Sequence, residues 1–257
     1  MLDDLVEGAR LDAEQRSASV SYDDLLERIS GQQPVKGNSD LRVRPFGHGL
    51  IAEIKRRSPS KGHLSDIPDP VALARSYEAG GATAISVLTE SRKFGGSLED
   101  LEAVAQAVSI PVLRKDFVTT RYQVAEARAY GADLVLLILA NLNDELASSL
   151  LADIRSFGMT ALVETHSEEE ARRAVELGAD VIGVNARDLA TFELDKGLFG
   201  RLRHLIPRDR VAIAESAVTS ALDVADYRDQ GADLVLVGEA LVTGDSPEES
   251  VKEFLSI

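Results

Sequence analysis

Residues 158–185 read "GMTALVETHSEEEARRAVELGADVIGVN". Two apolar runs, 158–165 and 177–185, flank an amphipathic stretch. Ser167 with Glu170 fits a capping box at the start of that stretch, and Gly178 stands where a helix would stop. The segment therefore reads strand, helix, Gly at C′, strand. Near-continuous apolar strands joined through helices suit parallel pairing with both faces of the sheet covered.

The second half of this unit recurs along the chain. "GGATAISVL" (80–88), "YGADLVLLIL" (130–139) and "QGADLVLVG" (230–238) repeat the pattern of "LGADVIGVN" (177–185), with Gly81, Gly131, Gly178 and Gly231 spaced by 50, 47 and 53 residues. Solenoid repeats share such periods, so the interval alone does not choose the fold. The segments between the repeats choose it. "GLIAEIK" (49–55), "IPVLRKDF" (110–117), "GMTALVET" (158–165) and "RVAIAES" (210–216) supply four more strands. Eight strands alternating with helices in 257 residues predict an α/β fold, a (β/α)₈ barrel. An open doubly wound sheet fits less well, because the first strand lacks a G-x-G-x-x-G turn. Further helix starts are expected at Asp69-Pro70 and, more loosely, at Ser97 with Asp100. "LDDLVEGARL" (2–11) and "SYDDLLERI" (21–29) read as two short amphipathic helices, followed by a loop at 31–40. The expectation is one domain over 1–257, with residues 1–45 as a helical extension packed on the barrel, since their apolar stripe is too small to fold alone.

Composition narrows the partners. A net charge of −15 argues against nucleic acid and anionic membranes, and an anionic small ligand would need a local cluster of cations or backbone N–H groups. With no cysteine, disulfide and thiol chemistry are excluded. The start lacks the pattern of a signal peptide and the longest apolar run, 134–140, is too short to span a bilayer, so a cytoplasmic protein is expected.

In such barrels the site forms at the C-terminal ends of the strands. The first strand ends with Glu53 and Lys55, which are two apart and share a face. The third ends with Arg114, Lys115 and Asp116, the fifth with Glu164, and the seventh with Glu215 and Ser216. The sixth brings Asn185, followed by Arg187 and Asp188. Two lysines and three glutamates converging on one mouth suit acid–base work. "LVLVGEAL" places Gly238 before a short helix beginning near Glu239, and with "ESAV" this predicts a phosphate site after strands seven and eight. "KRRSPSKG" (55–62) reads as a mobile basic loop over an anionic ligand. His48, His63, His166 and His204 lack metal-ligand spacing and read as ordinary surface or loop histidines.

These segments resemble the indole-3-glycerol phosphate synthase family over essentially the whole chain. The carrying motifs are "IAEIKRRSPSKG", "AISVLTE" with "FGGSLEDL", "PVLRKDF", "ALVETHSEEEARRAVELGADVIGVNARDL", "AESAV" and "LVGEAL". The resemblance implies a barrel with an N-terminal helical extension. It implies that 1-(2-carboxyphenylamino)-1-deoxyribulose 5-phosphate closes its ring, loses CO₂ and water, and gives indole-3-glycerol phosphate. No metal or organic cofactor is expected, and the partner is a phosphorylated small molecule, bound by a monomer or weak homo-oligomer. Lys115 matches the family's general acid and Glu164 its proton-transferring carboxylate, while Lys55 and Glu53 match the groups that hold the substrate. Asn185 and Arg187 match anthranilate-side contacts, and Ser58, Glu215 and Ser216 match other substrate contacts. Lys55, Ala217, Gly238 and Glu239 match the phosphate side. Ala217 departs from the family's usual Gly. The expectation is that this Gly serves close approach, which Ala preserves, and not a positive φ. Glu239, beside an anion site, is expected to point away from it. For Lys115, neighbouring cations would lower the pKa and nearby glutamates would raise it.

Overall fold

The computed structural model describes residues 2–36, 41, 49–189, 191–244 and 246–256. Eight strands close on themselves: β1 (Gly49–Ile54), β2 (Ala84–Leu88), β3 (Val112–Lys115), β4 (Leu134–Ile138), β5 (Thr160–Thr165), β6 (Val181–Asn185), β7 (Val211–Glu215) and β8 (Leu234–Val237). Neighbours in sequence are neighbours in the barrel, and β1 pairs in parallel with both β2 and β8. Each of the eight expected runs contains one strand. The helices are α1 (Leu2–Ser17), α2 (Tyr22–Ser30), α3 (Pro70–Gly80), α4 (Leu98–Ala107), α5 (Arg121–Ala129), α6 (Asp144–Ser156), α7 (Glu168–Glu176), α8 (Leu198–Leu202), α9 (Ala221–Asp229), α10 (Glu239–Val242) and α11 (Pro247–Leu255).

The repeated "GAD" has a physical cause. Gly81, Gly131, Gly178 and Gly231 all adopt positive φ, between 74° and 97°. The next N–H then reaches back to a helix carbonyl, as in Ala132 to Ala127 at 2.9 Å and Ala179 to Ala174 at 3.0 Å. This closure satisfies a carbonyl that the helix end leaves open. The residue two after the glycine ties the barrel floor. Asp133 and Asp233 accept the backbone N–H of Val112 and Ala212, at 2.9 and 2.7 Å.

Strand residues alternate strictly. Ile51, Leu113, Leu162 and Ile213 fill the barrel, whereas Leu50, Val112, Val163 and Ala212 face the helices. Burying each large aliphatic side chain stabilises by about 1.5–3 kcal/mol, as an upper estimate.

Caps form where expected, with one difference. Asp69, Ser97 and Ser167 accept the N–H of Ala72, Asp100 and Glu170. The boxes at Ser97 and Ser167 stay half-made because their acids are used elsewhere: Asp100 pairs with Arg56, and Glu170 takes the N–H of His166 at 2.9 Å. Complete boxes form instead at Ser21, Thr120 and Ser220.

The first helix runs beyond 2–11 to Ser17, since "DAEQRS" contains no breaker. Its buried stripe is Leu5, Gly8, Ala9 and Ala13. Asp12 pairs with Arg92 at 2.6 Å, and Arg16 reaches Glu126 on α5 at 2.8 Å. Helix α2 packs Leu25 against Ala125 and Ala129. Residues 37–40 and 42–48, including His48 and the end of the expected extension, lie outside the described residues.

Candidate active site

The inward alternation of Ile51, Leu113, Leu162 and Ile213 carries on, two residues later, to Glu53, Lys115, Glu164 and Glu215. All four line a cavity of about 220 Å³, and Lys55 and Asn185 join them. The ammonium of Lys115 sits 2.9 Å from Glu215 Oε2 and 3.3 Å from Glu164 Oε2. Lys55 Nζ lies 2.5 Å from Glu53 Oε2. The five charges expected from the strand ends therefore meet.

Two glycines make room for them. A Cβ on Gly238 would fall 2.4 Å from Glu53 Oε2 and 3.0 Å from Lys55 Nζ, and one on Gly183 would fall 2.1 Å from Glu215 Oε1. Gly238 has φ −118, so its role is close approach and not an unusual backbone. Gly183 was not singled out in the sequence, where it reads as one more small residue within an apolar strand.

The charges divide unequally. Burial works against the Lys115 ammonium, but Glu215, Glu164 and Glu53 outweigh it and raise its pKa. The glutamates thus win the opposition left open by the sequence. Burial would raise Glu53, yet Lys55 and Lys115 hold it low. Glu164 is likewise held low against burial by Lys115 and His166. Glu215 is pushed up to about 7 by burial, aided by Glu164 and opposed by Lys115. One lysine between two buried carboxyls does not hold both as anions equally, and the second cation stands beside Glu164.

That cation is His166, which the sequence placed among ordinary loop histidines. His63 and His204 are indeed exposed. The His166 side chain is 11% exposed and lies between two acids, 3.2 Å from Glu164 and 3.3 Å from Glu170. Burial opposes its charge, but these carboxylates raise its pKa to about 10. Its isolation in the sequence hid this, because its partners are two and four residues away on a strand end and a helix start.

Not every strand-end charge faces the cavity. Arg114 has outward parity and is fully buried, donating to Thr89 at 3.1 Å, Gln123 O at 2.8 Å, Asp116 at 2.9 Å and Glu126 at 3.2 Å. Asp116 in turn accepts the Phe117 N–H at 2.8 Å. This network braces the chain on both sides of Lys115.

Asn185 Oδ1 accepts the Ser216 hydroxyl at 2.7 Å and the Arg187 N–H at 3.0 Å. The Arg187 guanidinium donates to Phe192 O at 3.3 Å and lines the cavity. Ser216 and Ala217 have φ of 68° and 59°. This corrects the expectation for Ala217. The position lies in the left-handed region, which costs a residue with a Cβ roughly 1–2 kcal/mol. Glu239 lines the cavity and pairs with Lys61 at 3.5 Å. Lys61 thus offsets the charge of Glu239 beside the expected anion site.

Ser58 belongs to a short antiparallel ribbon, Arg57–Ser58 with Gly62–His63. Arg56 anchors the base of this loop through Ile67 O at 3.0 Å, Gly95 O at 3.3 Å and Asp100. The cavity is also lined by an apolar cluster that includes Leu2, Leu5, Phe94, Phe117 and Leu189. Phe94 and Phe117 sit 6.2 Å apart, centroid to centroid. The sequence assigned these residues no role. Leu2 and Leu5 carry no mark that separates a cavity wall from core packing. Among the described residues no His, Cys, Asp or Glu group is arranged to hold a metal ion, and no helix is long and apolar enough to cross a membrane.

Comparison with known proteins adds to this geometry. The family model for indole-3-glycerol phosphate synthase matches residues 2–254. A protein of that name from a Nocardioides species is 52% identical over 257 residues, spanning 100% of this chain and 98% of its own. Another, from Kineococcus radiotolerans, is 53% identical over 261 residues, spanning 100% and 95%. Among solved structures, 3-hexulose-6-phosphate synthase from Salmonella typhimurium superposes with a TM-score of 0.65 at 17% identity, over 81% of this chain and 97% of its own. Thiamine phosphate pyrophosphorylase from Pyrococcus furiosus gives 0.61 at 16%, over 84% and 96%. These two show the shared barrel alone.

Proposed function

The chain belongs to the indole-3-glycerol phosphate synthase family, and from that premise we propose how its residues divide the work. The reaction is the closure, decarboxylation and dehydration of 1-(2-carboxyphenylamino)-1-deoxyribulose 5-phosphate, a step of tryptophan biosynthesis. The observation that carries the assignment is the Lys115 ammonium, held between Glu164 and Glu215 in a cavity that apolar side chains also line.

Ring closure develops negative charge on the substrate's carbonyl oxygen. Lys115 protonates that oxygen as the aromatic ring carbon attacks, and a fixed ammonium in a dry site stabilises the charge as it forms. The aromatic ring lies on the apolar side beside Phe94, Phe117 and Leu189, with Asn185 and Arg187 toward its carboxylate. Burial of that carboxylate among apolar groups favours loss of CO₂. Glu164 then accepts a proton during dehydration while Lys55, oriented by Glu53, assists departure of water. Ser58, Glu215 and Ser216 complete the substrate contacts. The phosphate sits at the loops after β7 and β8, near the backbone N–H groups of Ala217, Gly238 and Glu239, with Lys55 adjacent. First-turn N–H groups lack partners within a helix and so suit an anion. Lys61 offsets the Glu239 carboxylate there, and the loop carrying Ser58 closes over the ligand. The protein works in the cytoplasm, on a phosphorylated small molecule.

The test is direct. Purified protein is mixed with the carboxyphenylamino-deoxyribulose phosphate and indole fluorescence is followed, with no background from Trp because the chain has none. Product formation is expected, and its absence with folded protein would overturn the assignment.

A further inference from the structure

His166 stands just beyond β5, two residues after Glu164, and takes no part in the steps above. Its Nε2 lies 3.2 Å from Glu164 Oε1, on the side away from Lys115, which meets Oε2 at 3.3 Å. Each oxygen of Glu164 therefore faces one nitrogen, the Lys115 ammonium or the His166 imidazole. The imidazole is itself held from behind. Glu170 Oε2 lies 3.3 Å from its Nδ1 and also accepts the His166 backbone N–H at 2.9 Å. Glu170 is fixed on the first turn of α7, where Ser167 caps its N–H. The result is a line running from α7 into the cavity: Glu170, His166, Glu164, Lys115. Glu215 is placed differently: its Oε2 meets Lys115 at 2.9 Å and its Oε1 is buried close to Gly183.

We propose that His166, clamped by Glu170, is a positioning residue that holds Glu164 as an oriented, unprotonated carboxylate against Lys115, ready to accept a proton from the substrate. The ionisable groups facing this pair are Lys115 from β3, Glu53 from β1, Glu215 from β7 and Glu170 from α7. A charge between two carboxylates is stabilised by both, and an ion-paired second residue restrains the orientation of the group that does the chemistry. The inference rests on the reaction proposed above, so its test includes a measurement made without substrate.

In the intact protein, imidazole ¹⁵N shifts of His166 are recorded across pH. Both nitrogens are expected to carry protons at pH 8, and a neutral ring there overturns the proposal. The second arm is the pH profile of kcat for H166Q, which retains a neutral donor, and for E170Q. Loss of an orienting partner typically costs about 10–100-fold. H166Q is expected to fall in kcat by that order with KM little changed, and the acid limb of its profile is expected to move to higher pH because Glu164 then protonates more readily. E170Q is expected to lose activity as pH rises through the lowered pKa of His166. An H166Q profile that superimposes on the wild type, after correction for folded fraction, refutes the role. Failure of the synthase reading would appear differently, as wild-type protein without product and an unchanged His166 signal.

Discussion

In the proposed reaction, Lys115 is the residue on which most of the chemistry rests. Its ammonium meets two buried carboxyls, so Lys115→Ala removes the acid and leaves those carboxyls facing each other. A fall in kcat of about 10²–10⁴-fold or more is expected, read from initial rates with circular dichroism as the control for folding. A mild effect would transfer the acid role to Lys55. Ala217 presents a backbone question. At φ 59° it lies where only glycine is unstrained. Ala217→Gly relieves that strain but frees the unfolded chain, which offsets roughly 0.4–1 kcal/mol. A net gain of up to about 1 kcal/mol in urea unfolding is expected; a loss would show that the surroundings relax around the Ala side chain. The position looked harmless in the sequence because φ is set by how the loop after β7 turns into the cavity mouth.

At the scale of elements, strand parity brings the charges together and two glycines allow them to fit. Gly183→Ala places a methyl 2.1 Å from Glu215 Oε1, in a wall that cannot give way easily. The variant is expected to keep its far-UV spectrum and lose at least an order of magnitude in kcat/KM, whereas near-wild-type activity would show that Glu215 has room to swing aside. Parity was readable from spacing alone. The need for Gly183 was not, because the atom it avoids comes from the next strand, at Glu215. Helix α1 shows the same limit. Its amphipathic pattern announced a helix, but only its docking through Arg16 and Asp12 brings Leu2 and Leu5 to the cavity. Arg16→Met should lower the midpoint of thermal unfolding, since Glu126 is buried and keeps only Arg114 as its charged partner.

For the whole molecule, buried and partnered ionisable groups set how stability follows pH. His166 is raised from 6.5 to about 10, so its contribution is complete below pH 6.5 and is lost as pH climbs through 10. Glu215 is raised from 4.5 to about 7, which favours the folded state below 4.5 and withdraws that support as pH rises through 7. Asp12, Asp24 and Asp223 are held low by their partners: Arg92 for Asp12, Ser21 for Asp24 and, against burial, Lys196 and Thr219 for Asp223. Their support is present above 3.8 and is lost as pH falls. Stability should therefore peak at mildly acidic pH and decline toward pH 10. Thermal melts across pH 5–10 check this, with H166N expected to flatten the alkaline decline. A melting temperature level from pH 6 to 10 would contradict it.

The sequence by itself determined the barrel and the converging charges. Both follow from local rules: glycine ends each repeat helix at a left-handed turn, and alternate strand residues share a face, so order and spacing carry the information. The tertiary structure decided the rest, because it depends on how the chain turns and packs, which order and spacing do not carry. It placed Glu164 and Glu170 around His166, turned Arg114 out into a bracing network, gave Ala217 its positive φ, and brought Leu2 and Leu5 from the first helix to the cavity wall. A carboxylate's proton affinity or a leucine's task is set by whatever packs against it, and that is fixed only when the barrel closes.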